Sequence, residues 1–508
     1  MDIKKARREN RSRYVRCSAP PRLRLHLPRC LFAVYFATLA ATVALGAEAN
    51  RVSVMDFCSG QEVATDITAC AQKAIDAAGS TNPSYGGRKV HFPAQNSPYL
   101  LRGRLTLAKS FVGIEGDGPQ ASFISCANGA EDCVIIGSAD IKTRGQSIEN
   151  IGINGDGKKS KGANVRIVGT YNVRVERVQL ENCIRCVDIG PSTNGTTLRD
   201  ITALVNQEDS DYGIYWHASG DGTTRNDVLT LDNVLVDGRY SSATGVMWEG
   251  FSHTLVGNHL RILHMKIGMR ISNPARSDRF FPSFMNIFDL EMEGFTNQAL
   301  AIEAGANFKI IGSDINNNAP RSSIHAGENA VISISSDKSA SLTRGIQISD
   351  SRIGNGGSNG IFSDARDVKL SNVLFASNNR DGSKGTSVVR LGPNTTDAQI
   401  VGMRAEAYGG TARADYAIQI DKGAERVQIV GLNAAFVRIG AISDNTDSLA
   451  NNFIGIMEPD GNNWSRMPLI RTKGPTRGGP PISEGSCGWD SSDHKLKCFD
   501  GVKWRSAW

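Results

Sequence analysis

"LRDITALVNQEDSDYGIYWH", residues 198–217, holds the two patterns on which most of this chain is built. The first is a sextet: apolar, two residues, apolar or Ser, one residue, apolar or Ala. It opens at Leu198 (LRDITA) and returns at Ile148 (IENIGI), Val175 (VERVQL), Leu231 (LDNVLV), Leu260 (LRILHM), Ile287 (IFDLEM), Ile310 (IIGSDI), Ile348 (ISDSRI), Leu370 (LSNVLF), Ile400 (IVGMRA) and Ile429 (IVGLNA). The second is a short strand-like run, GIYWH at 213. Its other copies are CVDIG at 186, GVMWE at 245, GMRIS at 268, ALAIE at 299, GIFSD at 360, VVRLG at 388 and AIQID at 417.

Successive sextets lie 22 to 38 residues apart. Self-similarity at that period marks a solenoid, a propeller or an array. Each unit holds two or three short strands joined by Asn, Gly, Ser and Asp turns and no helix, which excludes leucine-rich and ankyrin repeats. Most units are too short for a four-stranded propeller blade of about 40–45 residues. The pattern predicts an all-β chain, a right-handed single-stranded parallel β-helix with one coil per unit. A coil buries its apolar side only against its neighbours, so the ends need caps. Residues 54–79, "VMDFCSGQEVATDITACAQKAIDAAG", supply one. Ile67, Cys70, Ala71, Ala74, Ile75 and Ala78 recur at helical spacing, Thr65 or Asp66 is the expected N-cap, and Gly79 the stop.

That segment and "GGRKVHFPAQNSPYLLRGRLTLAKSFVGIEGDGP" after it resemble the opening of pectate-lyase-superfamily proteins related to rhamnogalacturonases, polygalacturonases and phage tailspikes. The match is close over residues 54–118 and architectural beyond. "DFC" stands for D-F-G, "TDIT" for T-D-D-T, and no glycine precedes "SPYLL"; these departures touch the cap. The resemblance implies secretion and a polysaccharide ligand, often with glycoside hydrolase or lyase activity. The polygalacturonase catalytic set is not legible: "NTD" at Asn445–Asp447 stands alone after the last coil and reads as a loop.

The formal charge of +6 over 508 residues does not imply nucleic-acid binding. Ten Lys/Arg against two Asp/Glu fall in residues 1–30, and Glu48 is the one charge in 31–49, so residues 50–508 carry a net −1. A long basic segment, an apolar run from Leu31 to Ala47 and a closing "AEA" form a secretory leader. Cleavage is expected near Asn50, giving a secreted or periplasmic protein with no membrane insertion afterwards; an uncleaved anchor is the alternative. Cys17 and Cys30 go with the leader. The remaining cysteines fall in close pairs, Cys58 with Cys70, Cys126 with Cys133, Cys183 with Cys186 and Cys487 with Cys498, which read as disulfides in an oxidising compartment. A single C-x-x-C without further ligands argues against metal, and no cofactor is called for. The expected division is leader 1–49, cap and first coils 50–145, repeat body 146–457, a Pro/Gly-rich linker 458–482, and a C-terminal hairpin 483–508 stapled by Cys487 and Cys498. That tail would cap the helix, bind glycan or hold a homotrimer.

Strand alternation locates candidate chemistry. In the second family Ile214, Trp216, Val246, Trp248, Met269, Ile271, Leu300 and Ile302 should point inward. Tyr215 and His217, Met247 and Glu249, Arg270 and Ser272, Ala301 and Glu303 should point outward on successive coils. Glu249 is the first candidate for a catalytic carboxylate, with Asp211 or Glu303 as its partner and His217 beside it. Arg270, Tyr215, Arg279 and Phe280 are candidates for substrate binding, the last two from the long loop 273–284. A charged outer ladder is also what any solvated β-helix face presents. Three functions follow: a hydrolase of an acidic or pectin-like glycan, a lyase acting α to a uronate carboxylate, or a glycan-binding adhesion module without catalysis.

Overall fold

The computed structural model describes residues 51–79, 87–157, 159–219, 222–239, 242–274, 279–316, 330–335, 343–354, 356–378, 384–406, 413–434, 436–446, 451–457, 468–469, 487–490, 495–499 and 504–506. The leader with Cys17 and Cys30, the linker residues 458–467 and 470–482, and Asp447 lie outside the described residues.

The sextet is a bent strand. In Asn194–Leu204 both Leu198 and Ile201 are buried although three residues apart, which plain alternation forbids. Asp200 resolves this with a φ of 52°, a left-handed corner that puts Leu198 on one face of the coil and Ile201 and Ala203 on the next. The equivalent corners are Asn150, Arg177, Asn233, His259, Asp289, Gly312, Asp350, Asn372, Gly402 and Gly431. Asn, Asp and Gly tolerate this conformation best. Neighbouring corners also bond to each other, Asn233 Nδ2 donating to Asp200 Oδ1 at 2.6 Å and Asn372 Nδ2 to Asp350 Oδ1 at 3.1 Å.

The coils stack in register as parallel strands. One inward row runs Val52, Val90, Ile114, Ile148, Val175, Leu198, Leu231, Gly257, Ile287, Ile310, Ile348, Leu370, Ile400, Ile429. Coils begin at Val52, ahead of the capping helix, with three rungs inside the 50–145 segment expected to hold the cap and first coils. One correction follows. The fifth sextet starts at Gly257 rather than Leu260, which pairs with Val234. The second strand family forms its own sheet of 13 parallel strands, from Leu105–Leu107 to Gly440–Asp444. The fold is thus a right-handed parallel β-helix.

The helix Thr68–Ala78 buries Cys70, Ala71, Ala74, Ile75 and Ala78 and packs on strands Leu105–Leu107 and Lys89–Phe92. Its N-cap position is Ile67, and Asp66 accepts from the Thr68 N–H at 3.0 Å. A separate short helix, Gly60–Thr65, precedes it, capped by Ser59 and Glu62. Disulfides join Cys58 to Cys70, Cys126 to Cys133 and Cys183 to Cys186. At the C-terminus three antiparallel strands form, Cys487–Asp490, Lys495–Phe499 and Trp504–Ser506, one more than a hairpin has. Cys487 lies opposite Cys498 in that register; the side chains there lie outside the described residues. No helix among the described residues is long and apolar enough to cross a membrane.

Candidate functional site

Five consecutive strands of the 13-stranded sheet carry the candidates: Arg185–Ile189, Tyr212–His217, Thr244–Glu249, Ile267–Ser272 and Gln298–Ile302. Their inward residues are all buried. Trp216 stacks on Trp248 with ring centroids 5.0 Å apart, and Trp248 meets Phe308 at 5.4 Å, so both tryptophans are core. This phase turns two rows outward. One runs Asp188, Tyr215, Met247, Arg270, Ala301, and the other His217, Glu249, Ser272.

The contacts sort these residues into three groups. The first centres on Asp188, whose side chain is 6% exposed. His217 Nε2 lies 2.9 Å from its Oδ1, and Arg185 Nη1 lies 3.3 Å from its Oδ2. Burial alone would push the Asp188 carboxyl up, but the His217 hydrogen bond and the charges of His217, Arg166 and Arg185 outweigh it and hold it below its ordinary value. An ionised Asp188 can only accept, so the His217 nitrogen facing it, Nε2, carries a proton. That leaves Nδ1 as its basic position.

The second group is Tyr215 and Glu249. The phenol donates to Glu249 Oε2 at 2.6 Å, and Ser272 Oγ donates to Glu249 Oε1 at 3.2 Å. Burial first, then this bond and the Glu249 charge, push the Tyr215 phenol above its ordinary value. Its ring is stacked between Tyr212 at 4.6 Å and His217 at 4.1 Å.

The third group is two arginine–carboxylate pairs flanking the others. Arg185 Nε and Nη2 both reach Asp211 Oδ2, at 3.2 and 3.0 Å. Arg270 holds Glu303 through two separate bonds, Nε to Oε1 at 2.9 Å and Nη2 to Oε2 at 3.0 Å. Thus His217, Glu249 and Tyr215 come together, whereas the two partner carboxylates proposed for Glu249 are each occupied by an arginine. Phe280 packs edge-on against Phe251 at 4.9 Å, and Arg225 lies over the same Phe251 ring at 5.7 Å. A Cβ on Gly222 would come within 2.5 Å of Phe280, so the Phe280 ring lies against Gly222. Arg279 is exposed.

Sequence reasoning missed Arg185, Asp188, Tyr212 and Ser272 as members of one constellation. The signal for Asp188 was available: it is the third residue of CVDIG, in phase with Tyr215 and Arg270. A groove of about 560 Å³ lies elsewhere, lined in part by Asp289, Glu291, Glu293, Asp314, Asp350 and Arg352. Arg261 and Arg352 pair with Glu291 and Asp314 there. Among the described residues no three His, Cys, Asp or Glu side chains cluster as metal ligands would.

No protein-family model and no curated protein matches the chain. Solved structures do. Tailspike protein 3 of bacteriophage CBA120 is similar over 91% of this chain and 70% of its own, at 12% identity and a TM-score of 0.60. DFA-IIIase from Arthrobacter chlorophenolicus A6 without its lid is similar over 75% of this chain and 94% of its own, at 11% identity and 0.54. The A-module of an Azotobacter vinelandii mannuronan C-5 epimerase is similar over 79% and 96%, at 17% identity and 0.50. At these identities the likeness is one of fold, the right-handed parallel β-helix that residues 54–118 resemble.

Proposed function

We propose that this chain is a carbohydrate-active β-helix enzyme of the lyase kind, acting on an acidic polysaccharide by removing the proton α to a uronate carboxylate. The observation that carries this reading is the buried Asp188–His217 pair beside the Tyr215–Glu249 pair on one sheet face. Asp188 fixes the His217 tautomer, so Nδ1 takes the proton at C-5. The electrons form a double bond as the glycosidic oxygen β to that carbon departs. Tyr215, kept neutral by burial and by Glu249, gives its proton to the leaving oxygen. Arginines on the same face neutralise the uronate carboxylate as charge builds on it. The solved chains of like fold include one named as a mannuronan C-5 epimerase.

Hydrolysis has less support. It needs two cooperating carboxylates, and three on this face are engaged: Glu303 by arginine through both oxygens, Asp188 by histidine, Glu249 by two hydroxyls. The three disulfides support an oxidising compartment.

Incubation with alginate, polygalacturonate and a neutral glucan in D₂O tests the reading. An ultraviolet-absorbing unsaturated product from a uronate polymer is expected, and His217→Ala should lower its rate by at least ~10²-fold. Saturated reducing ends with no unsaturation would return the chain to the hydrolases. Deuterium at C-5 without cleavage would make it an epimerase.

A further inference from the structure

Arg185 is held in place without any help from Asp211. Its Nη1 bonds to buried Asp188, and its guanidinium lies 5.8 Å from the Tyr212 ring and 5.6 Å from the Tyr215 ring, within cation–π range. Its remaining fork, Nε and Nη2, is the geometry that takes both oxygens of one carboxylate. Asp211 fills that fork poorly. Both donors converge on Oδ2, and Oδ1 makes no hydrogen bond among the described residues. The Asp211 side chain is exposed, while its backbone is fixed on both sides, N–H to Ile184 and C=O to Thr244. Its carboxylate therefore leaves the fork by rotation of one side chain, with no strand moved. Arg270 differs, because Glu303 already engages its fork through two oxygens.

We propose that Arg185 is the receptor for a substrate uronate carboxylate, and that Asp211 is an internal stand-in which that carboxylate displaces. This rests on the uronate reading above and assigns Asp211 a gating role in place of an acid–base one. A neutral sugar gains nothing from displacing Asp211, so the pair favours acidic over neutral substrate. An exposed ion pair contributes about 0.2–1 kcal/mol. Removing this competitor should tighten oligouronate binding by about 1.4- to five-fold.

The test is calorimetric titration of the full chain with short oligomannuronate, oligoguluronate and oligogalacturonate, and with methyl-esterified oligogalacturonate. Asp211→Asn should bind the acidic oligomers more tightly and leave the methyl ester unchanged. Asp209→Asn, the same charge change two residues away, should tighten binding less. In an Arg185→Lys background the gain from Asp211→Asn should vanish, since lysine lacks the fork. Equal or weaker binding by Asp211→Asn overturns the inference, as does an equal gain from Asp209→Asn, which would mark a general charge effect. If no form binds any acidic oligomer, the uronate reading falls and this inference with it. Tight wild-type binding with no gain overturns the inference alone.

Discussion

Gly257 gives the corrected register a direct test. By repeat pattern alone, Gly257→Leu restores an apolar residue between Leu231 and Ile287 and should stabilise. Packing predicts the reverse. A Cβ at 257 would lie 3.1, 3.3 and 3.5 Å from Cγ1, Cγ2 and Cβ of Ile287. Carbon atoms pack best at ~3.5–4.0 Å, so even alanine requires a small shift. The lost freedom of the unfolded chain, about 0.4–1 kcal/mol for Gly→Ala, roughly offsets that strain. Gly257→Ala should therefore be near neutral. Leucine pushes three further carbons into space that Ile287 already fills, and overpacking of about 1–3 kcal/mol dominates. Ile287→Ala alone costs about 2–5 kcal/mol through its cavity. The double variant Gly257→Leu/Ile287→Ala should cost less than the sum, because leucine fills that cavity. Urea unfolding followed by tryptophan fluorescence reads this region, as Trp216 and Trp248 sit in the adjoining coils. A midpoint for Gly257→Leu equal to or above wild type would refute the argument that Ile287 occupies the glycine's place.

Asp188→Asn should reduce turnover by about 10³-fold or more with oligouronate binding retained, since an amide no longer dictates the His217 tautomer; steady-state rates that barely change would remove the pair from the mechanism. The same residue sets a pH dependence. Its folded pKa is depressed, so its stabilisation is complete above its unfolded value of about 4 and is lost as pH falls through the folded value. Wild type should accordingly lose more stability than Asp188→Asn below about pH 4, as melting curves across that range would show. Trp248→Ala should cost about 3–5 kcal/mol yet leave oligouronate affinity unchanged, because the ring faces the core; lost affinity in a folded variant would make it a sugar platform instead. Thiol labelling of unfolded, unreduced protein should leave Cys58, Cys70, Cys126, Cys133, Cys183 and Cys186 unmodified, with peptide mapping as the readout.

The phase of the second strand family was legible because it needs only local information. Val187, Ile214, Val246, Met269, Leu300, Ile361, Val389 and Ile418 hold one inward row, as period-two alternation implies. The sextet hides a corner inside a strand, and its spacing is readable only where that corner is ordinary. At the fifth copy the corner is His259 and the first apolar slot is Gly257, so "LRILHM" three residues later made a better match to the pattern. The rungs at Val52, Val90 and Ile114 were obscured by the helix and loops between the first two.

Outward rows follow from the same phase, which is why His217 beside Glu249 was legible. Pairings are not, because a long side chain reaches the coil before it or after it with equal ease. Arg270 reaches forward to Glu303, and Arg199 both back to Glu176 and forward to Asp232. Burial does not mark a site by itself either. Asp415 is as buried as Asp188, at 6%, but it holds Arg438 and the Gly385 N–H, a structural arrangement. Four histidine–carboxylate pairs occur among the described residues. The carboxylates facing His91, His259 and His264 are 41%, 65% and 23% exposed, and Asp188 facing His217 is 6% exposed. An exposed carboxylate exchanges its histidine for water at little cost, so it orients nothing. A buried one, held below its ordinary value despite burial by the His217 hydrogen bond and then the charges of His217, Arg166 and Arg185, keeps Nε2 protonated against solvent competition. That combination, rather than the density of charge on the face, distinguishes residues 185–217 from the solvated ladders on the rest of the helix.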